Sequence, residues 1–553
     1  MSTPNSATSV IETPVLIVGA GPVGLALAGD LGWRGIACTV IEQSDGTIYQ
    51  PRQDLVGIRT MEFCRRWGIV GDVEAAPYPR DYPQDNIYIA GDLVNGWEIG
   101  RYENPTMDDE IPPPQSPQRR ERCPQNMFDP ILKKFATSHE TVDLRYHHRF
   151  RSLQQTEDGV IAEIEDVARQ TAIHMAAKFL VGCDGAGSAV RTALDITMQG
   201  NPALTYTTNV IFCCADFEKL HDKRPGYRFI FLTATGTWAT IVAINGRDQW
   251  RMSIVRSSDH PRELSDDEVH AAIHKAVGLD FDYEILSVVP WTRRGLVAER
   301  FRQDRAFLAG DAAHCMSPTG GFGMNTGVGD AVDLSWKFDA VLMGWAGEAL
   351  LDSYEIERHP VAVRNVTEAS GNLARMLSPE DNGAFLEDTA EGNAVRKEVG
   401  DRFAERMKRE WQTLGIHLGY CYGNSPICAH DGSAAPPDGP AHYIQTTCPG
   451  SRAPHVWRAD GSSTLDHFGR GFVLLRLGAD TPDTEPLAAA ARCCKMPLDI
   501  VTIEEPAVRD AYQHCLVLVR PDGHVAWRGH GVPPDPARLI DLVRGAITES
   551  DSN

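Results

Sequence analysis

Three glycines near the N-terminus have the spacing that a dinucleotide-binding turn requires. Gly19, Gly21 and Gly24 follow the apolar run 15–18 and open a segment with the pattern of a helix. Gly19 permits a tight turn, Gly21 lets the backbone approach a pyrophosphate, and Gly24 lets the helix pack closely on the strand. The free N–H groups and the positive dipole end of that helix would then face the phosphates.

An acidic residue completes the same unit. Glu42 follows the second apolar run, 39–41, at the distance where a carboxylate accepts a hydrogen bond from a ribose 2′-OH. A carboxylate there would repel a 2′-phosphate, so the unit favours FAD or NAD over NADP. The alternative is a glycine-rich turn with no ligand. The strand before it, the helix after it and the placed acid all favour a nucleotide site.

Three further segments carry chemistry-bearing residues. Asp184-Gly185 ends a predicted strand, and Gly310-Asp311 follows the predicted strand 306–308 and leads into the glycine-rich run 317–325. The third segment is Pro51-Arg52-Gln53-Asp54, followed by Arg59.

Together these segments resemble the FAD-dependent aromatic hydroxylases, the class A flavoprotein monooxygenases that include phenol hydroxylase and the hydroxyphenylpropionate hydroxylases. The match in order and spacing covers the chain nearly end to end. The resemblance implies an enzyme that takes NADH or NADPH and O₂ and hydroxylates a phenolic ring through a flavin C4a-hydroperoxide. No second glycine-rich fingerprint follows a predicted strand, so the pyridine nucleotide is expected to have no fold of its own.

The residues themselves agree with a flavin. Asp311 at a strand end can bond an alditol hydroxyl, and the glycines after it let a helix begin directly against a flat ring. A helix N-terminus carries about half a positive charge, which would stabilise an anionic reduced flavin. The alternative is a structural turn between strand and helix.

The expected FAD contacts come from these motifs and from the resemblance, which assigns Gln125 to the flavin and Arg52 to the nucleotide. For Arg52 the alternative is a surface salt bridge. No metal site is expected. The full set is Gly19, Gly21, Pro22, Gly24, Glu42, Gln43, Arg52, Gln125, Asp184, Gly185, Asp311, Pro318, Gly321, Gly323, Met324 and Asn325.

Asp54 is the predicted catalytic base. A phenolate is a stronger nucleophile than a phenol, so a base near the substrate hydroxyl assists the reaction. The resemblance places an active-site aspartate at this distance before Arg59, although Leu55 stands where the family often has glycine. An aspartate that caps the chain or pairs with Arg52 is the alternative.

Tyr227 and Pro318 complete the predicted catalytic set, with ordinary packing as the alternative for Tyr227. Alternating apolar residues over 204–289 predict an antiparallel sheet that closes over the substrate. Its candidate wall residues are Arg228, Phe229, Trp238 and Trp250. Alternation implies that about half of them point away from the pocket. His314, beside Asp311, is expected to be a hydrogen-bonded structural residue.

Composition limits the partners. The formal net charge of −22 disfavours binding to nucleic acid or to an anionic membrane, so a small phenolic substrate is expected. Thirteen scattered cysteines indicate a reducing cytoplasm. A homodimer is also expected.

At 553 residues the chain should hold two or three domains. The predicted class is α/β: a Rossmann-like FAD-binding domain, an interleaved substrate domain with a mixed or antiparallel sheet, and a thioredoxin-like module. The predicted FAD-binding parts are 1–85, 116–198 and 291–378, the substrate parts 86–115 and 199–290, the helical segment and linker 379–440, and the module 441–553. Gly478-Ala479-Asp480-Thr481 stands where an active thioredoxin has Cys-x-x-Cys, which excludes redox exchange.

Two other functions stay open. A flavoenzyme on the same fold could hydroxylate, epoxidise or perform a Baeyer–Villiger reaction on a larger polyketide or antibiotic. A flavin-binding protein without turnover is the other possibility.

Overall fold

The computed structural model describes residues 10–256, 263–378 and 383–547. Its first sheet has eight strands, five of them parallel neighbours. From one edge they are Arg302–Gln303, Ala306–Leu308, Thr171–Gly182, Ile11–Val18, Cys38–Ile41 and Val142–Arg145, and the hairpin His148–Thr156 and Gly159–Asp166 pairs with Thr171–Gly182. The central strand Ile11–Val18 reads as an apolar run because helices cover a parallel sheet on both faces.

The helices of the described residues fall into two groups. Before the C-terminal module they are Pro22–Arg34, Ile58–Trp67, Val70–Glu74, Gln125–Thr137, Ala189–Ala193, Asp266–Val277, Phe322–Leu342, Ala349–Leu377, Ala390–Trp411 and Leu414–Leu418. Within the module they are Glu485–Cys493, Pro506–Tyr512 and Pro536–Val543. Short 3-10 turns cover Phe217–Lys219, Gly310–Ala312, Gly383–Leu386 and Thr464–His467. In the described part of the chain, no helix combines the length and the apolar character needed to cross a membrane.

The second sheet also has eight strands, and all but one neighbouring pair run antiparallel. In order they are His314–Cys315, Glu284–Ala298, Met198–Cys213, Gln249–Arg256, Gly236–Ala243, Arg228–Thr233, Asn86–Ala90 and Trp97–Tyr102. One face packs its apolar side chains with those of the helix Asp266–Val277. On the other face, the strands Asn86–Ala90 and Arg228–Thr233 pack apolar side chains on the helices Ala349–Leu377 and Ala390–Trp411, while polar side chains such as Asn209, Arg251 and Ser253 line a cavity.

The C-terminal module has a four-stranded sheet in the order Leu498–Ile503, Phe472–Leu477, Leu516–Val519 and Val525–Gly529. The strand Phe472–Leu477 runs straight into Gly478, and no cysteine stands in the four residues that follow the strand. A short two-stranded ribbon, Leu55–Val56 with Glu121–Arg122, holds the segment that bears Asp54. The architecture confirms the predicted fold class.

Candidate active site

One cavity of about 780 Å³ joins the two large sheets. At one end it is lined by residues that directly follow the parallel strands of the first sheet, where α/β folds bind their ligands. This nucleotide end includes Gly19, Gly21, Pro22, Glu42, Gln43, Arg52, Gln125, Asp184, Gly185 and Asp311. The substrate end includes Asp54, Arg122, Asn209, Tyr227, Arg228, Thr240, Val242, Arg251, Ser253, Val289, Trp291, Arg293, Met376, Glu410 and Trp411.

The glycine turn has the shape that a dinucleotide needs. Gly19 has φ of 107°, and a Cβ on it would lie 2.4 Å from the Cys183 carbonyl oxygen. A Cβ on Gly24 would lie 2.0 Å from the Gly19 oxygen, so Gly24 packs the helix against the turn and does not line the cavity. At Gly21 a Cβ would meet no atom within 4 Å, which leaves the backbone open to a pyrophosphate.

Glu42 is held in place for a ribose. The Ala20 N–H donates to its Oε2 at 3.0 Å, and the Ser44 N–H and hydroxyl donate to its Oε1 at 2.9 and 2.8 Å. A carboxylate has about four acceptor positions, so capacity is left for a ligand hydroxyl. Gln43 lines the cavity beside it.

Two buried acids complete the nucleotide end. Asp184 accepts the Val190 N–H at 3.1 Å through Oδ2, whereas its buried Oδ1 has no partner among the described residues. Burial raises the pKa of Asp184, and it also raises the pKa of Asp311 against the opposing charges of His314 and Arg52. A ligand hydroxyl or amide at Asp184 would supply the missing donor. The residues present therefore fit an FAD molecule.

The helix Phe322–Leu342 begins at the cavity. Gly320 and Gly321 have φ of 90° and 69°, the left-handed region that glycine tolerates, and the Gly321 N–H donates to the Pro318 oxygen at 3.1 Å. Pro318, Gly321, Gly323 and Met324, all predicted to contact FAD, line the cavity. The positive end of the helix dipole thus lies at the cavity, where it would stabilise negative charge on a bound flavin.

Asn325 needs a correction. Its side chain does not line the cavity, because all of its hydrogen bonds are made to other residues of the protein. Its Oδ1 accepts from the Gly57 N–H at 2.8 Å and the Thr60 hydroxyl at 2.7 Å, and its Nδ2 donates to the Leu55 and Gly321 oxygens. The residue therefore ties the helix Phe322–Leu342 to the helix Ile58–Trp67.

Arg52 and Gln125 lie together. The Arg52 N–H donates to Gln125 Oε1 at 3.0 Å, and the Gln125 amide donates to Asp129, whose pKa burial raises to about 7. The Arg52 guanidinium lies 5.0 Å from the centre of the Trp291 ring. Within the described ranges no carboxylate forms a salt bridge with Arg52, so the surface ion pair considered as its alternative is absent there.

Asp54 forms a compact polar group at the substrate end. Its Oδ2 accepts from the Tyr227 hydroxyl at 2.8 Å and from Arg251 Nη2 at 2.6 Å. Arg251 also donates to the Pro51 oxygen at 2.8 Å. The Asp54 and Arg251 side chains are 11% and 13% exposed. The partner of Asp54 is therefore Arg251 and not Arg52.

The charges around Asp54 set its protonation. Burial opposes ionisation of Asp54, but Arg251 first and then Arg122 and the Tyr227 hydroxyl hold its pKa below the ordinary value. Burial and the Asp54 charge raise the pKa of Tyr227 well above its ordinary value. Asp54 is thus a carboxylate and Tyr227 a neutral phenol at neutral pH.

Three predicted wall residues lie elsewhere. Phe229 and Trp250 are fully buried on the opposite face of the second sheet, where the Trp250 ring packs against the tilted Phe217 ring with 4.2 Å between their centres. Trp238 packs at the edge of the same cluster, under Lys275. Of the four predicted wall residues, only Arg228 lines the cavity. Successive side chains of a strand point to opposite faces of the sheet, and the other three residues lie at positions that face away from the cavity.

Four charged residues of the substrate end were not predicted from the sequence. Arg251 adjoins the misassigned Trp250, and Arg122, Arg293 and Glu410 also line the substrate end. Only Arg251 carries a signal in the sequence, as a charged residue between the apolar Trp250 and Met252. His314 lies in the core instead, with its Nε2 2.7 Å from Asp330, which agrees with a structural role.

Comparisons with known proteins agree with this site. The FAD binding domain family model matches residues 12–369, and the model of the C-terminal region of aromatic-ring hydroxylases matches residues 446–547. Tetracenomycin B2 monooxygenase-dioxygenase of Streptomyces olivaceus is 32% identical over 97% of this chain and 99% of its own. The 4-methyl-5-nitrocatechol 5-monooxygenase of a Burkholderia species is 32% identical over 99% and 100%.

Among solved structures, chromopyrrolic acid-soaked RebC with bound 7-carboxy-K252c superposes with a TM-score of 0.90 at 38% identity, covering 98% of this chain and all of RebC. These findings confirm the predicted enzyme class, which inserts one oxygen atom. They also confirm FAD as the cofactor, with NAD(P)H and O₂ as the cosubstrates typical of the class. The chain therefore belongs to the FAD-dependent aromatic-ring hydroxylases, the class A flavoprotein monooxygenases.

Proposed function

We propose that this monooxygenase hydroxylates a phenolic ring held at the substrate end, with Asp54 and Tyr227 binding the substrate hydroxyl. The observation that carries the proposal is the group Asp54, Tyr227 and Arg251, placed in the same cavity as the start of the helix Phe322–Leu342. Bound FAD would supply the redox chemistry that activates O₂, the source of the oxygen atom, with NAD(P)H as the electron donor.

The Tyr227 hydroxyl donates its proton to Asp54, so its oxygen is free to accept one from the substrate hydroxyl. Asp54 is in this way the final acceptor of a two-step hydrogen-bond chain. Arg251, fixed by Asp54 and the Pro51 oxygen, lies beside this chain and stabilises negative charge on the phenolic oxygen.

The lowered pKa of Asp54 decides when the proton moves. A phenol has an ordinary pKa of about 10, whereas Arg251 holds the pKa of Asp54 below its ordinary value, so complete proton transfer to Asp54 before the attack is strongly unfavourable. The proton therefore leaves the substrate while the ring is being attacked, when the hydroxyl becomes strongly acidic. Asp54 polarises the resting phenol and takes the proton during that step.

A larger polycyclic substrate is the second candidate. By their names, the relatives act on a nitrocatechol, on tetracenomycin B2 and on a polyketide, and the cavity extends along the polar side chains of the second sheet. A graded series from phenol through naphthol to anthracenol separates the two, because the preferred ring count is read directly from stimulated NAD(P)H oxidation.

The test uses the purified, FAD-loaded protein and a panel of phenols under ¹⁸O₂. We expect a substrate that stimulates NAD(P)H oxidation and gains one labelled oxygen as a ring hydroxyl, seen by mass spectrometry. Gly24→Val, which should not hold FAD, is the inactive control. A lactone or epoxide product would favour the other flavoenzyme reactions, and no stimulation by any phenol would favour a protein without turnover.

The remaining partners rest on sequence alone. We propose a homodimer in the cytoplasm, as composition and resemblance predicted. Sedimentation velocity of the FAD-loaded protein tests the dimer, and a single species of monomer mass would refute it.

A further inference from the structure

Arg293 is a buried cation that faces the substrate end without a partner. It lies on the strand Glu284–Ala298, in line with Val289 and Trp291, and its side chain lines the cavity. The residue is only 6% exposed, yet its Nε and Nη1 donate to no atom of the described residues. Buried guanidinium groups are normally hydrogen-bonded, so this one is set up for a ligand.

The other arginines of the substrate end are occupied. Arg251 is paired with Asp54, and Arg228 donates to both oxygens of Glu410 at 3.0 and 2.9 Å. Arg122 donates to Gln84 at 2.9 Å and lies 3.7 Å from the centre of the Tyr227 ring. Each of these three side chains already has a hydrogen-bond partner within the protein.

The substrate end therefore carries surplus positive charge. Four arginines line it, against the two carboxylates Asp54 and Glu410, in a chain whose net charge is −22. Burial, assisted by Arg228 and Arg251, lowers the pKa of Arg293 to about 10, so it stays charged at neutral pH. An unpaired charge in such a place is unfavourable until an anion arrives.

A second buried polar group without a hydrogen-bond partner among the described residues lies on the strand next to Arg293. Thr205 on the strand Met198–Cys213 is the cross-strand partner of Arg293, so the two side chains share one face of the sheet. The Thr205 hydroxyl is buried and also lacks a partner among the described residues. Thr205 does not line the cavity and gives the Arg293 guanidinium no acceptor, so a carboxylate in the cavity would accept from the guanidinium alone.

We propose that Arg293 binds a carboxylate carried by the substrate, so that the enzyme selects an aromatic acid over the neutral analogue. In the proposed function, Tyr227 and Asp54 bind the hydroxyl of the reacting ring. The carboxylate that Arg293 binds is therefore a second substituent of the substrate. The proposal rests on the proposed function only in taking this end of the cavity as the substrate site.

The test measures binding without turnover. Calorimetry on the FAD-loaded protein, with no NAD(P)H, compares benzoate with benzamide and 2-naphthoate with 2-naphthamide. A hydrogen-bonded charge pair should make the acid about 10- to 100-fold tighter than the amide. Arg293→Met should abolish this preference. Arg294→Met is the matched control, because its side chain is on the other face of the same strand and does not line the cavity.

Equal affinity for acid and amide in the unmodified protein would overturn the proposal, as would an unchanged preference in Arg293→Met or no acid binding at millimolar concentration. If Arg293→Met does not fold or loses FAD, Arg293→Lys replaces it. Lysine keeps the charge but lacks the two-pronged donor geometry, so acid binding should weaken while amide binding stays the same. A protein that binds acids selectively but hydroxylates no phenol would refute the proposed function and leave this inference standing.

Discussion

Replacing Asp54 by asparagine tests the proton chain at the substrate end. The amide keeps the size of the side chain but removes the charge that holds Arg251 and accepts the Tyr227 proton. Asparagine can still accept a hydrogen bond through its oxygen, so FAD binding and folding should persist. The variant isolates the effect of the negative charge.

The size of the effect follows from the geometry. Two unit charges about 4 Å apart attract by about 4 kcal/mol at an effective dielectric constant of 20, and both side chains here are only about one-tenth exposed. A positioned general base contributes about 10²- to 10⁴-fold. We therefore expect kcat to fall by 10²- to 10⁴-fold, which corresponds to about 3–5 kcal/mol.

The pH dependence follows from the lowered pKa of Asp54. A carboxyl with a lowered pKa is ionised above its ordinary value and loses its charge only as the pH falls further. Asp54 should therefore produce no acid limb in the kcat profile above about pH 5. The slowed turnover of Asp54→Asn should run parallel to that of the unmodified enzyme from pH 6 to 9.

The assay is substrate-stimulated NAD(P)H oxidation with product analysis. Asp85→Asn is the matched control: Asp85 pairs with Arg101 at 2.9 Å, is similarly buried and does not line the cavity. Turnover of Asp54→Asn equal to that of the control, across the whole pH range, would refute the proton chain.

Three further predictions concern stability and cofactor binding. Burial opposes ionisation of Glu62, but Arg452 and Arg59 lower its pKa to about 2, so Glu62→Gln should cost about 3 kcal/mol in urea unfolding at pH 7. That stability is present above pH 4.5 and disappears towards pH 2, where the two unfolding curves should converge; equal midpoints at pH 7 would contradict the prediction. Gly24→Val should be colourless, because its Cβ would meet the Gly19 oxygen at 2.0 Å, and a yellow variant would disprove this. Removing the chain after Pro440 should lower the melting temperature or change the oligomeric state; a shortened protein that matched the full chain in both would refute a stabilising role for the module.

The nucleotide end could be predicted because its chemistry is local. Glu42, Asp184 and Asp311 each follow an apolar strand, and parallel strands bring their carboxyl ends to one edge. Spacing along the chain therefore determined position in space. The role of the glycines could be predicted for a similar reason. A positive φ or a close approach of two backbone segments allows few residues other than glycine.

The substrate end could not be predicted in the same way. Trp250 and Arg251 are neighbours on one strand, and which of them faces the cavity depends on the register against strands some 40 residues away. An aromatic residue looks like a pocket wall in sequence, but here the aromatic face packs on a helix and the cavity face is polar. Glu410 comes from the end of a distant helix, and no local pattern links it to Arg228.

Two buried arginines of the C-terminal module form hydrogen bonds with helices of the FAD-binding domain. Arg452 donates to Glu62 at 3.0 Å, and Glu62 belongs to the helix Ile58–Trp67, which Asn325 ties to the helix beginning at the cavity. Arg520 donates to Glu357 at 2.9 Å on the helix Ala349–Leu377. Breaking a buried pair of this kind costs about 3–5 kcal/mol, because it leaves a carboxylate without its partner. We infer that the module holds the helices Ile58–Trp67 and Ala349–Leu377 in place, a role that depends on arginines and requires no thiol.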